Sequence, residues 1–238
     1  KTDEEARNYK VDQSFVNQMI NASALDNGLH AGDLKFVDLD GNNKIEQTTS
    51  ANDRKDMKVI GNSLPRYNYN LGISADWYGI DFSVLFQGIG KQNWYPGAET
   101  SMFWGPYSRP YASFIPSDFM SQVWSEENSN AYFPRPRGYV ALGSNRELAV
   151  VNTKYLQNLA YCRLKNLSIG YTLPDKWLSK IGFVKIRVYF SGENLLTFTK
   201  LHSDYIDPEQ ASASNSWKTS KSDANIYPWA KTYSFGVD

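Results

Sequence analysis

The sequence predicts an all-β fold, an antiparallel transmembrane β-barrel segment with long loops at one end. Three observations carry that expectation. Several runs alternate strictly with a period of two, the links between runs are by turns short and long, and aromatic residues are in surplus without any long apolar stretch.

The alternation is clearest between Arg66 and Gly90. Tyr67, Tyr69, Leu71, Ile73, Ala75 and Trp77 hold the odd positions, and Asn68, Asn70, Gly72, Ser74 and Asp76 hold the even ones. One face of an extended chain is then apolar and the other polar. After Tyr78-Gly79 the pattern restarts with Ile80, Phe82, Val84 and Phe86, so two strands joined by a tight turn are expected. Each run is about as long as the 9 to 11 residues a tilted strand needs to cross a bilayer. Strands of a soluble sandwich also alternate, so this hairpin alone leaves both architectures open.

Composition narrows the classes. Lys plus Arg and Asp plus Glu both number 25 in 238 residues, and no basic track suggests nucleic acid. A mean hydropathy of -0.53 and the lack of a long apolar run exclude a transmembrane helix. They do not exclude a barrel, whose alternation averages to a polar mean. The 16 Tyr and 7 Trp suit interfacial girdles or carbohydrate-contacting surfaces. A single Cys162 leaves no internal disulfide. The charged start Lys1-Thr-Asp-Glu-Glu is not a signal peptide, so an exported protein would be expected to begin after processing, or the sequence is a fragment.

Before the hairpin, Asp12 to Ile20 places Phe15, Val16, Met19 and Ile20 on one helical face. The stretch from Gly32 to Asp53 is richer in chemistry. Asp38, Asp40, Asn42, the Lys44 carbonyl and a hydrophobic Ile45 match the first eight positions of an EF-hand-type calcium loop. Asn43 stands where glycine is usual, and Asn tolerates the left-handed backbone better than most residues. Thr49 stands where the closing carboxylate belongs, so Glu46 or Asp53 is expected to complete a Ca²⁺ shell. The plain alternative is an Asx-rich turn without metal.

After the hairpin, residues 91–153 form a long excursion. It is crowded with Trp94, Tyr95, Trp104, Tyr107, Tyr111, Phe114, Trp124, Tyr132, Phe133 and Tyr139 and broken by six prolines. That density predicts an ordered excursion, with a short helix from Ser117 to Trp124 capped by Ser117. Tyr155 to Leu173 reads as the next strand, with a phase slip that a bulge near Lys165-Asn166 explains. Pro174 to Gly182 makes a compact turn. Val184, Ile186, Val188 and Phe190 begin another strand, residues 200–226 form a second long loop, and Thr232 to Val237 alternates again. The links therefore run short, very long, short, long. Outer-membrane barrels alternate their loops in this way and a sandwich has no reason to, which favours the barrel and its contact with membrane lipid.

Several segments resemble the C-terminal part of the SusC/RagA-type TonB-dependent transporters. They are Gly32-Asp-Leu-Lys-Phe-Val-Asp-Leu-Asp-Gly-Asn-Asn-Lys-Ile, Asp53-Arg54 with Val59-Ile-Gly-Asn, Trp77 through Gly88, Arg163 through Pro174, Arg187 through Thr199, and Tyr233-Ser-Phe-Gly-Val. The resemblance implies about five C-terminal strands of a 22-stranded barrel in the Gram-negative outer membrane. It implies a plug and remaining strands elsewhere in the same protein, energy through TonB contacted by a missing N-terminal part, and a SusD-like surface lipoprotein partner for uptake of oligosaccharides or peptides. In those terms residues 1–65 are an extracellular loop region with the calcium-loop-like segment 32–53, and residues 66–238 are barrel strands with long loops 91–153 and 200–226. The extra Thr48 to Ala51 departs from the family pattern, as does the lack of a terminal aromatic residue.

Two other classes compete. A soluble carbohydrate-binding β-sandwich would use Trp94, Trp104 or Trp124 as sugar platforms. A glycan-processing enzyme is disfavoured, because His30 and His202 lie in no nucleophile motif and Glu126, Glu127 and Asp204 read as solvated loop residues.

Overall fold

A computed structural model describes residues 1–13, 29–108, 115–136, 139–143, 146–180, 182–214 and 227–238. The elements in chain order are α1 (Asp3–Asn8), β1 (Arg66–Trp77), β2 (Ile80–Lys91), β3 (Asn93–Trp94), α2 (Ser101–Trp104), β4 (Gln157–Asn158), β5 (Tyr161–Thr172), α3 (Asp175–Leu178), β6 (Arg187–Thr199), α4 (Pro208–Ser214) and β7 (Thr232–Val237). They fall into two units: a loop unit, chiefly Lys1–Gly61 with Tyr95–Leu156, and a sheet unit made chiefly of the rest. The helix expected from Asp12 to Ile20 lies almost wholly outside the described residues.

The sheet unit is a five-stranded antiparallel sheet in the order β1-β2-β5-β6-β7. Neighbours in sequence pair with neighbours in space, as in a barrel wall. β1 and β2 meet at a two-residue turn whose Tyr78 and Gly79 have φ of 48° and 85°. Both central residues in the left-handed region make the turn whose twist matches that of the strands. The phase slip in β5 has the expected cause. Leu85 faces Asn166 and Phe86 faces Leu164, so Lys165 is the extra residue that keeps Leu164 and Leu167 on one face. The strand is shorter than its sequence suggests, however. Residues before Tyr161 leave the sheet, and Gln157–Asn158 pairs instead with Asn93–Trp94 in a separate ribbon.

Register turns the alternation of single strands into two continuous faces. Ile73, Val84, Leu167, Gly192 and Tyr233 form one cross-strand row, and Ala75, Phe82, Ile169, Phe190 and Phe235 form the next. On the opposite face Ser74, Ser83, Ser168, Ser191 and Ser234 lie in one row, a serine from every strand. An apolar wall backed by a polar one is what a barrel needs, with lipid outside and a wet lumen inside. Strands of 12 residues, at about 3.3 Å per residue, are long enough to cross while tilted. A sandwich would cover the apolar face with a second sheet, and among the described residues the only other sheet is the two-residue ribbon.

Near the turn end of the polar face, Arg187 of β6 reaches over β5 to Asp81 of β2, with Nε to Oδ1 at 2.8 Å and Nη2 to Oδ2 at 2.6 Å. Its Nη1 also donates to Asp238 at 3.2 Å. Gly170 lies beneath this bridge, where an added Cβ would sit 2.5 Å from both Asp81 Oδ1 and Arg187 Nη2. Gly170→Val is expected to break the bridge and destabilise the assembled receptor by about 1–3 kcal/mol, the usual cost of overpacking. Gly72→Val, on the same face with only a 3.9 Å neighbour, serves as the control in a denaturant titration.

The loop unit holds the aromatic excursion in order. Trp104 and Tyr155 pack edge to face at 5.2 Å between ring centroids, Phe119 and Phe133 stack at 4.6 Å, and Phe133 and Tyr155 stack at 5.9 Å. Such pairs each contribute about 0.5–1.5 kcal/mol beyond area burial. The helix expected from Ser117 to Trp124 shortens to a 3-10 turn over Phe119–Gln122. Val123 is drawn into a bridge with Phe133, whose N–H donates to the Gln122 carbonyl while its own carbonyl accepts from Trp124. Ser117 does not cap it; the turn closes through Ser121 Oγ, which donates to the Asp118 carbonyl.

Candidate functional site

The acidic loop is assembled by its own backbone. Asp38 accepts from the N–H of Gly41 and of Asn43, Asp40 from that of Asn42, and Asn42 from that of Lys44. Asn43 takes the left-handed conformation, φ 62°, at the position where such loops favour glycine. Ile45 is buried, and Asp12 brackets the turn with its N–H on the Asn43 carbonyl and its carbonyl on the Ile45 N–H. Desolvation pushes the Asp38 carboxyl up, and the N–H groups of Asn43 and Gly41 outweigh it, holding the group below its ordinary range.

Of the residues expected as ligands, Asp38 and Asp40 come together, and the third carboxylate beside them belongs to Asp56. Asp56 also ties the loop shut, accepting from the N–H of Leu39 at 2.6 Å and of Glu46 at 2.7 Å. Glu46 pairs with Lys44 and Lys55, and Asp53 with Lys55. The lysines lower the Glu46 carboxyl, Lys44 most, and Asp53 and Glu46 raise Lys55. Asp56 escaped the sequence reading because it lies past the insertion, beyond a twelve-residue window.

A second constellation was not legible at all. Arg163 projects from the polar face of β5 and is buried. Its guanidinium donates to Asp207 and Glu209, each at 2.7 Å, and to Thr197 of β6 at 2.9 Å. Asp207 in turn accepts from the N–H groups of Glu209 and Gln210 at the start of α4. Lys165, the bulged residue, reaches Glu209 at 3.0 Å and lies over the Trp229 ring. The first half of the second long loop is thereby strapped to the polar wall.

The residues of the competing readings are placed differently. Trp94 and Trp104 are fully buried, which removes them as sugar platforms, and the Trp124 ring packs against Gly32 and Arg135. His30 donates its N–H to Asp33 in the loop unit. His202 belongs to the sheet unit, its N–H on Gln157, and burial lowers its imidazole. Glu126 and Glu127 are exposed in a turn.

No family model matches the chain. It is 31% identical over 209 residues to TonB-dependent receptor P3 of Formosa agariphila, covering 85% of this chain and 18% of that protein. Receptor P26 of the same organism is 27% identical over 192 residues, covering 80% of this chain and 17% of its own length. The chain thus spans under a fifth of the length of these relatives. Among solved structures, the RagAB peptide importer in its closed-closed state superposes with a TM-score of 0.52 at 24% identity, covering 84% of this chain and 20% of that one. That likeness speaks to the fold. The matched proteins are receptors and an importer by name, not enzymes.

Proposed function

We propose, from the premise that this chain is a homologue of the TonB-dependent receptors with the fold of a SusC/RagA-type barrel segment, that it forms the C-terminal barrel part of an outer-membrane nutrient importer. The importer moves oligosaccharides or peptides inward with a SusD-like surface lipoprotein, and takes energy through TonB by way of a plug outside this chain. Loops 91–153 and 200–226 face outward. The observation that carries the reading is the pair of continuous faces across five strands, apolar on one side and serine-lined on the other. Cells with and without the intact receptor are compared for uptake of labelled oligosaccharides and labelled peptides, and the receptor is tested for co-purification with a lipoprotein. Receptor-dependent uptake of either class is expected. An intact protein recovered with the soluble fraction would overturn the reading.

The acidic loop is proposed to take Ca²⁺ through Asp38, Asp40, Asn42, the Lys44 carbonyl and Asp56, with Glu46 held by Lys44 and Lys55 and Asp53 by Lys55. The support is the approach of the Asp38, Asp40 and Asp56 carboxylates to within 4.8 Å of one another, and hard cations favour such oxygen sets, with ligands about 2.3–2.6 Å away. Calorimetry on the intact receptor is expected to show a site that Asp56→Asn weakens more than Asp53→Asn. Equal effects, or no heat with wild type, would dismiss the metal.

A further inference from the structure

Within the loop unit, residues 33–37, 39, 45–47, 56–58 and 60 join residues 149–154 around a cleft of about 740 Å³. One of its walls behaves as a half-finished strand. Residues 34–38 run without turn or bend, so alternate residues direct their peptide groups to opposite sides. On one side Phe36 is fully occupied, donating its N–H to Gln13 Oε1 and accepting at its carbonyl from the Tyr9 hydroxyl, and the Leu34 carbonyl accepts from Gln13 Nε2. On the other side, the N–H and carbonyl of Lys35 and Val37 have no hydrogen-bond partner among the described residues. The facing wall repeats the condition. Lys58, Val59, Ile60 and Gly61 are also unbent and donate no backbone N–H among the described residues.

Free groups at positions i and i+2, with satisfied groups between them, are the pattern of a sheet edge awaiting a strand. Leu34, Val37, Leu39, Met57, Ile60, Val150 and Val151 supply an aliphatic lining. Among the described residues no tryptophan lines the cleft to stack a sugar ring.

We propose that the cleft receives a β-strand from the same receptor polypeptide, paired to Lys35 and Val37, drawn from the part of the protein that this chain does not cover. The source follows from length. The chain spans under a fifth of its relatives, so most of the polypeptide lies outside it. Exposed peptide groups along an open edge are a template for pairing, and a covalently attached strand meets them without the entropy of bringing in a second molecule. This inference rests on the size of the receptor and not on what it transports.

The test uses the intact receptor in detergent, without lipoprotein or substrate. Val37 and Val151 line the cleft and are 67% and 45% exposed in this chain, so Val37→Cys and Val151→Cys would react with a maleimide about as fast as Ser50→Cys if nothing covers them. At least tenfold slower labelling is expected at both, together with slowed hydrogen exchange at the Lys35 and Val37 N–H groups of the wild type. Cross-links from Lys35 and Lys58 are expected to land in the same polypeptide outside this chain. Labelling and exchange at the Ser50→Cys rate would overturn the proposal. So would slow labelling with unchanged N–H exchange, which means cover without pairing, or protection only after a lipoprotein or peptide is added, which means another occupant.

Discussion

Val84→Arg is expected to destabilise the receptor in lipid vesicles by about 2–4 kcal/mol, the cost of a cation near the midplane of a barrel's lipid face. Val84 lies mid-strand in β2, between Ile73 of β1 and Leu167 of β5 on the apolar face. An arginine there has no water within easy reach and no acidic partner in its cross-strand row. The adjacent Ser83 points to the other face, between Ser74 and Ser168, where a long cation can extend into a wet lumen. Ser83→Arg is therefore expected to change stability by no more than about 0.5 kcal/mol, as for an ordinary solvated site. Denaturant unfolding in vesicles measures both variants, and equal costs would sink the assignment of faces.

Removing Arg163 is the other change with a large expected effect. The guanidinium pairs with Asp207 and shares Glu209 with Lys165, at a site where the Arg163 side chain is 2% exposed and that of Asp207 is 5%. Arg163→Met keeps much of the volume but leaves a buried carboxylate without its cation, which costs about 3–5 kcal/mol in comparable buried pairs. The strap should then lift, and limited proteolysis should cut near α4 where the wild type resists. Arg163→Met combined with Asp207→Asn removes the uncompensated buried carboxylate, while Glu209 keeps Lys165 as its partner, and should recover much of the loss. A double variant no more stable than the single one would show that the ion pairs do not hold the strap.

What the sequence revealed and what it hid divide along physical lines. The hairpin, the bulge at Lys165 and the alternating loop lengths were legible because side-chain direction in a strand has a local period of two, and a slip in that period is visible within a few residues. Tyr155 to Ala160 was misassigned to the sheet for the same reason: residues adjoining a strand look like more strand until the partner is known, and Gln157–Asn158 pairs with Asn93–Trp94. Contacts between distant residues left no such trace. Arg163 meets Asp207 across 44 positions, and no local pattern marks either residue. The acidic loop lies between these cases. Asp38, Asp40 and Asn42 are spaced by the loop itself, whereas Asp56 arrives only after the chain has turned back on them.

The ribbon of β3 and β4 bears on the order in which the wall assembles. β1 and β2 are two residues apart and pair at almost no loop-closure cost, but β2 and β5 are separated by about 70 residues, and each doubling of a flexible loop adds about 0.6 kcal/mol of entropy to closing it. The ribbon sits at the neck of that excursion. There Asn93–Trp94 pairs with Gln157–Asn158, and the Leu159 N–H donates to the Gln92 carbonyl. Once the neck is closed, the excursion no longer counts as slack between the strands, and Lys91 and Tyr161 are delivered almost in register. The β2–β5 seam, non-local in sequence, can then zip from the neck downward with the kinetics of a local hairpin.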